Sequence, residues 1–440
     1  LTDSVDERLP RELGFWGIWL LAVNGMVGSG IFGVPGEAAR LAGDWAPLLY
    51  LGSALLVLPI LLCFGELASR YRNTGGPMNY ATDAFGPFVG FQTGWLFYLA
   101  RVAGFAAGSV LLIDSVAYFW PTANVGSARV VLLAVVCFAG IFLTLIGSRL
   151  AIRALGSLTA LKFAVPLVLV VCGLAAIFDD RTVPPVGQET LDLGAATLLL
   201  IYAFVGFESA VVPAGEARRP ERDMPWALLL GLGIVGLLYF VIQWISQLVL
   251  PDLATSTTPL LDVAAMLLGP AGALMLMSGV LFSVLGTLVG AMFSTPRITY
   301  AFALDGRLPD WFGRVHPKFL TPANSILVYG GAGFLLAVTG SFIWLAVASV
   351  LMRLLMYIVV CLSVLVLRRR SAAVDAFTLP GGVLIPLLGV LACGWLLMQV
   401  SRDSVLLTLA FIVAGSLMYW LARRRRSGVR IAGRATAFRQ

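Results

Sequence analysis

Two glycine-centred stretches hold the residues best able to grip a small ligand. The first, AVNGMVGSGIFGVPGEAARLAG (residues 22–43), has Val27 and then Gly28-Ser29-Gly30 at its middle. The second, IYAFVGFESAVVPAGE (residues 201–216), sets Gly206 between Phe204 and Phe207, with Glu208 next. Both lie inside apolar runs. Glycine costs about 1 kcal/mol relative to alanine inside a helix, and proline about 3, so these runs hold a helix poorly. A helix interrupted at mid-membrane bares N–H groups on one half and carbonyls on the other. The N–H end attracts a carboxylate and the carbonyl end a cation. Small residues also serve close helix packing; Gly25 with Ser29 is the nearest pair of that type. The first cluster alone leaves packing and a functional break open, and the second stretch favours the break. A carboxylate at the depth of Glu208 is costly. It either caps the freed N–H groups of the break or touches substrate, and capping is the preferred reading.

Five more charges fall within apolar runs. Lys162, in LTALKFAVPLVLV, lies nine residues from Arg153, about 13.5 Å along a helix. It is open to three readings: an ion-coupling group, a fixed structural cation, or a side chain snorkelling to the interface. Arg101 and Asp114 share a run but are too far apart to face one another; Arg101 is read as a brace between helices, with a substrate or Glu208 contact as the other option. Arg353 is ambiguous in the same way. Glu66 is expected to be a solvated or capping residue at the end of its helix.

The elements that position these residues follow from composition. Of 440 residues, 59% are hydrophobic and 12% charged, where a soluble domain carries about 25% charged residues. Twelve continuous apolar segments are expected: 13–42, 46–68, 88–119, 130–146, 155–177, 193–215, 225–250, 264–296, 325–339, 342–367, 383–400 and 405–422. The ninth is the shortest. None alternates with period two, which excludes a membrane β-barrel. With the N-terminus inside, most of the 30 basic residues fall in cytoplasmic loops, and only Arg40, Arg129, Arg181 and Arg402 fall outside. This supports cytoplasmic N- and C-termini and accounts for the net charge of +7. The basic tail reads as an anchor on anionic lipid, not a nucleic-acid site, and no cleavable signal is expected in residues 1–12.

The fold class expected is an all-α polytopic membrane protein with twelve transmembrane helices. The two interruptions open the first and sixth spans, the first members of two five-span units. Because five is odd, the second unit inserts upside down, giving a 5+5 inverted repeat with broken helices 1 and 6, followed by two C-terminal helices. The organisation is then 1–12 N-terminal segment, 13–178 first repeat, 191–370 second repeat, 383–422 helices 11 and 12, and 423–440 basic tail. Five cysteines, all in apolar runs, have no metal-ligand spacing, and the lone His316 is in a loop. No metal or cofactor is expected, and membrane enzyme chemistry is disfavoured. A major-facilitator arrangement would place a basic Gly-x-x-x-Asp-type loop after span two, and residues 69–83 do not fit it. A channel, or a sensor that no longer transports, stays open.

Four motifs make the chain resemble the amino acid–polyamine–organocation (APC) superfamily, which shares the leucine-transporter-like fold. They are GSGIF (28–32), GELASRYRNTGGPMNYATDAFG (65–86), FVGFES (204–209) and STPRITYAFALDGRLPDWFGRVHPKFLTPANS (294–325). Arg72-Asn73-Thr74 departs from the proline-containing turn often found there. The resemblance implies secondary transport of an amino acid across the plasma (inner) membrane by alternating access. The α-carboxylate would lie on the amides around Ser29 and Gly30. The α-amino group would meet carbonyls near Val27 and in the 204–207 break, and Phe207 would be a lid. Spans three and eight would line the side-chain pocket with Tyr98, Phe282 and Ser283. In related proton-coupled members a lysine at the position of Lys162 replaces a sodium ion beside span one, so protons are an expected partner and symport is favoured over exchange. The substrate is expected to be a neutral L-amino acid, and the protein a monomer or weak homo-oligomer.

Overall fold

The computed structural model describes residues 13–71, 76–146, 148–178, 191–370 and 377–437. Arg8, Arg11, Arg72 and Arg181, with the 1–12 segment, lie outside the described residues, as do the side chains of Arg149, Arg153 and the basic tail beyond Arg424.

The described chain is helical, with no strand among the described residues beyond one isolated bridge. The first apolar run is split into α1 (Phe15–Met26), α2 (Ser29–Gly33) and α3 (Pro35–Ala42). Then come α4 (Ala46–Arg70), the short α5 (Pro77–Phe85), α6 (Pro87–Ala117), α7 (Gly126–Ile146) and α8 (Ser148–Phe178). The sixth run is split into α9 (Leu193–Phe204) and α10 (Glu208–Val211). The rest is α11 (Pro220–Val249), α12 (Pro259–Ser294), α13 (Pro296–Leu304), α14 (Ala323–Thr339), α15 (Phe342–Arg370), α16 (Leu384–Leu397) and α17 (Arg402–Ala437). Each expected apolar segment coincides with one of these helices or helix groups. Among the described residues nine helices are long and apolar enough to cross a membrane; three shorter apolar ones, 162–177, 323–339 and 384–397, occupy the fifth, ninth and eleventh positions.

Proline opens many of these helices (Pro35, Pro77, Pro87, Pro220, Pro259, Pro296), where its missing N–H costs nothing. The eighth run carries an unexpected kink: Gly269 has φ +68° next to Pro270, so α12 bends near its start.

Burial orders the bundle. The most apolar window of α6 is 89% buried, against 22% for α7 and for the described apolar part of α17, so α6 is central and the other two are peripheral. Around α6 pack α15, α12 and α14; α11 packs on α4 and α1, and α12 on α8. Outward apolar side chains such as Phe138, Phe142, Leu335, Leu406 and Val413 are more than half exposed, as expected of a surface that meets lipid.

Glu66 is neither solvated nor a cap. It is fully buried and accepts hydrogen bonds from Arg70 Nη2 (2.8 Å), Arg368 Nε (2.8 Å) and the Leu379 amide (3.0 Å). It therefore ties the ends of α4 and α15 to the chain that follows α15. The cysteine thiols are free. No group of metal-binding residues occurs among the described residues.

Candidate functional site

The first break is short. The helical bonds of α1 end with Val27 N–H donating to Val23 O (2.9 Å), and Val27 (ψ 97°) and Gly28 (φ −139°, ψ −142°) leave helical geometry. From Ser29 the helix resumes. Val34 is helical, donates to Gly30 O (3.1 Å) and accepts from Ala38 N–H (2.9 Å), so α2 and α3 form one half-helix. The Gly28 amide and the Val27 carbonyl form no hydrogen bond with the described residues.

The second break sits opposite. Val205 is extended (ψ 154°), and Gly206 has φ +115°, a conformation in which a Cβ is strained. The two breaks touch backbone to backbone: a Cβ on Gly25 would strike the Gly206 carbonyl, and one on Gly206 the Gly25 carbonyl. A Cβ on Gly30 would lie 2.8 Å from Ala203 Cα. Gly25 and Gly30 are thus packing glycines. Gly28 is different, because the nearest atom to its missing Cβ is Thr287 Oγ1 at 3.9 Å. Packing and the break, left open by the sequence, are both present on different glycines. At the start of α1, Leu13 N–H donates to Glu216 O (3.0 Å) and Arg218 N–H to Leu13 O (2.9 Å), joining it to the exit from α10.

Gly28 faces a cavity of about 90 Å³, room for several waters or one small solute. Its walls are Gly25, Met26 and residues 28–30 of the first break, Tyr202, Val205 and Gly206 of the second, Arg101, Gly104 and Phe105 of α6, Thr287, Leu288 and Ala291 of α12, and Arg353 of α15. Ser29 Oγ and Tyr202 Oη are hydrogen-bonded to one another in its wall, 2.8 Å apart. A second cavity, of about 450 Å³, lies among α5, α6, α12, α13 and the segment after α10. Arg101 belongs to both walls.

The expected site residues divide. Gly28, Ser29, Gly30 and Gly206 line the smaller cavity. Val27 and Phe204 are fully buried beside it. Glu208 is 1% exposed and caps the break, accepting from Gly206 N–H (2.7 Å), Arg353 Nε (3.2 Å) and Tyr357 Oη. Phe207 is not placed as a lid: its ring is fully buried against Phe64 (5.3 Å) and Tyr357 (5.8 Å). Tyr98, Phe282 and Ser283 do not line the cavity either. Tyr98 stacks on Trp95 (5.5 Å), and Ser283 lies one turn before Thr287, to which its carbonyl is bonded (2.9 Å). Lys162 is 4% exposed and donates to Asn24 O (2.7 Å), Asn24 Oδ1 (3.1 Å) and Thr287 Oγ1 (3.5 Å). A buried, bonded ammonium does not snorkel, so that reading falls. Tyr239 Oη donates to Met26 O (3.0 Å), so two carbonyls of the last turn of α1 have side-chain donors.

The sequence reading missed Tyr202, Thr287 and the placement of Arg353. Arg353 is 5% exposed and also donates to Ala100 O (3.3 Å) and to Ser349. Its only sequence signal is an arginine inside an apolar run. Arg101 braces α6 to α12 through Thr295 Oγ1 (2.7 Å) and Ser294 Oγ (3.1 Å), and it faces the cavity as well.

The amino acid permease family model matches residues 13–422. Three proteins of Bacillus subtilis (strain 168) are similar over nearly the whole chain. A methylthioribose transporter is 24% identical, covering 97% of this chain and 96% of its own. The branched-chain amino acid permease BcaP is 25% identical, with 96% and 95% covered. The serine/threonine exchanger SteT is 25% identical, with 96% and 99% covered. A match spanning both breaks and every helix that walls the cavity is a match to the whole architecture, and this chain accordingly belongs to the amino acid permease family of the APC superfamily, as an integral membrane protein for amino acid transport.

Proposed function

We propose that the protein is a secondary carrier that holds an amino acid between the two helix breaks and moves it across the plasma membrane by alternating access, coupled to protons. The observation that carries this reading is the cavity walled on two sides by the breaks, with Gly28 open towards it. The α-carboxylate lies at the start of the α2–α3 half-helix, near the Gly28 amide and the Ser29 hydroxyl, where unpaired N–H groups favour an anion. The α-amino group meets the unpaired carbonyls of Val27 and Val205. Both termini are cytoplasmic, the two five-span units are an inverted pair, and the carrier works as a monomer or weak homo-oligomer. Among the described residues no carboxylate lines either cavity. That favours a side chain without positive charge and leaves neutral and acidic ones.

The test is uptake of the twenty labelled amino acids into proteoliposomes. Saturable uptake and counterflow of at least one amino acid are expected, and a passive leak would sink the reading. Gly28→Ala places a methyl in the cavity without a clash. The half-saturating concentration should rise about tenfold or more with the melting temperature unchanged.

Lys162 supplies the coupling. Its ammonium braces the carbonyl end of α1 at Asn24, and proton loss releases that contact. Uptake by Lys162→Ala should lose its pH dependence between acidic and neutral external buffer. A variant with the full wild-type pH profile would assign Lys162 a purely structural role.

A further inference from the structure

The cavities have an uncompensated charge. The smaller is lined by Arg101 and Arg353, the larger by Arg101 and Arg297, and neither by an aspartate or glutamate among the described residues. Arg353 is matched by Glu208 at 3.2 Å. Arg297 lies over the Phe293 ring, 3.7 Å from its centroid. Arg101 lies over the Phe97 ring, 5.6 Å from its centroid, and donates to hydroxyls of Ser294 and Thr295, with no ion pair among the described residues. It stands between the two cavities with part of its side chain exposed to them. A guanidinium carries five N–H donors, and the described residues accept from Nε and Nη2 alone. A cation held among apolar helices without a counter-charge is costly. A ligand that brings a carboxylate removes that cost, and the planar fork of arginine matches a carboxylate bidentately.

We propose that the substrate carries a second acidic group and that Arg101 receives it: the carrier takes dicarboxylic amino acids, of the chemistry of aspartate and glutamate. The inference rests on the amino acid reading above. The zwitterionic head occupies the small cavity between the breaks, and the side chain extends past Gly104 and Phe105 to the wall that both cavities share. The hydroxyls of Ser294 and Thr295, already on Arg101, hold the guanidinium in place. This replaces the neutral side chain expected from sequence. A neutral side chain leaves the Arg101 cation bare in the bound complex, and a basic one adds repulsion to it.

The experiment measures uptake of labelled L-aspartate, L-glutamate, L-leucine and L-serine into proteoliposomes of the full chain, for the wild type, Arg101→Gln and Arg101→Lys. Ligand-induced shifts in melting temperature of the wild type are measured in parallel, so that the answer does not depend on the variants folding. The expected result is saturable uptake of an acidic amino acid, a melting shift with it and not with leucine, and a half-saturating concentration about tenfold or more higher in Arg101→Gln. Partial rescue by Arg101→Lys is expected, with acidic uptake falling several-fold more than neutral uptake in Arg101→Gln. Uptake and melting shifts with neutral amino acids only would overturn the inference and leave the carrier reading standing. Equal loss of acidic and neutral uptake in Arg101→Gln would also overturn it, since bracing alone would do that. Absence of uptake for every amino acid would overturn both.

Discussion

A Glu208→Ala protein is expected to lose transport together with about 3–5 kcal/mol of stability, the cost of removing one partner of a buried ion pair. Among the described residues Glu208 is the one acidic group bonded to Arg353, and the same carboxylate accepts from the Gly206 amide and from Tyr357. Its removal leaves a guanidinium, a main-chain N–H and a phenol underbonded at one point, at the hinge of the second break. The loss should appear as a lower melting temperature in detergent and as absent uptake. Arg353→Leu in the same chain removes the stranded cation and should recover part of the stability without the transport. A single Glu208→Ala variant that melts like the wild type would show that Arg353 finds other compensation, and the capping role would fall.

Gly206→Ala is the second large effect. At φ +115° a side chain costs about 1–2 kcal/mol, and here the added Cβ would also strike the Gly25 carbonyl. The two broken helices must then part, and the cavity loses its floor. We expect no measurable uptake and a lower melting temperature. Gly233→Ala is the matched control: it lies within α11, has nothing within 4 Å of the missing Cβ, and has no positive φ. Substitution there should leave uptake intact and stabilise the helix by about 0.5–1 kcal/mol. Equal behaviour of the two variants would mean that the contact between the breaks is not needed for transport.

The elements were legible because each apolar run is long, and hydropathy needs no partner to be read. The breaks were legible because glycine and an isolated carboxylate are anomalous inside such runs. Lys162 was found for the same reason, and its bond to Asn24 narrows its role to brace or coupling group. What sequence could not supply was register between distant helices. Ser283 and Thr287 lie on one face of α12, a turn apart, and only packing against α2 and α8 shows that the second one reaches the cavity. Phe207 follows the break and reads as a lid, yet the turn at Gly206 sends its ring into the Phe64 and Tyr357 cluster. Glu66 resembled a solvated helix end because its partner Arg368 is about three hundred residues away in the chain. Arg353 and Tyr202 were similarly hidden, since each gains its meaning from a residue on another span.

The contact of Gly25 with Gly206 has a mechanical consequence. Where two main chains meet with no side chain between them, one cannot glide over the other as greased side-chain surfaces do. Under the alternating access proposed above, a swing that opens the cavity to the opposite face would carry both interrupted helices together as a single rocker, with the walls of α6 and α12 as its frame.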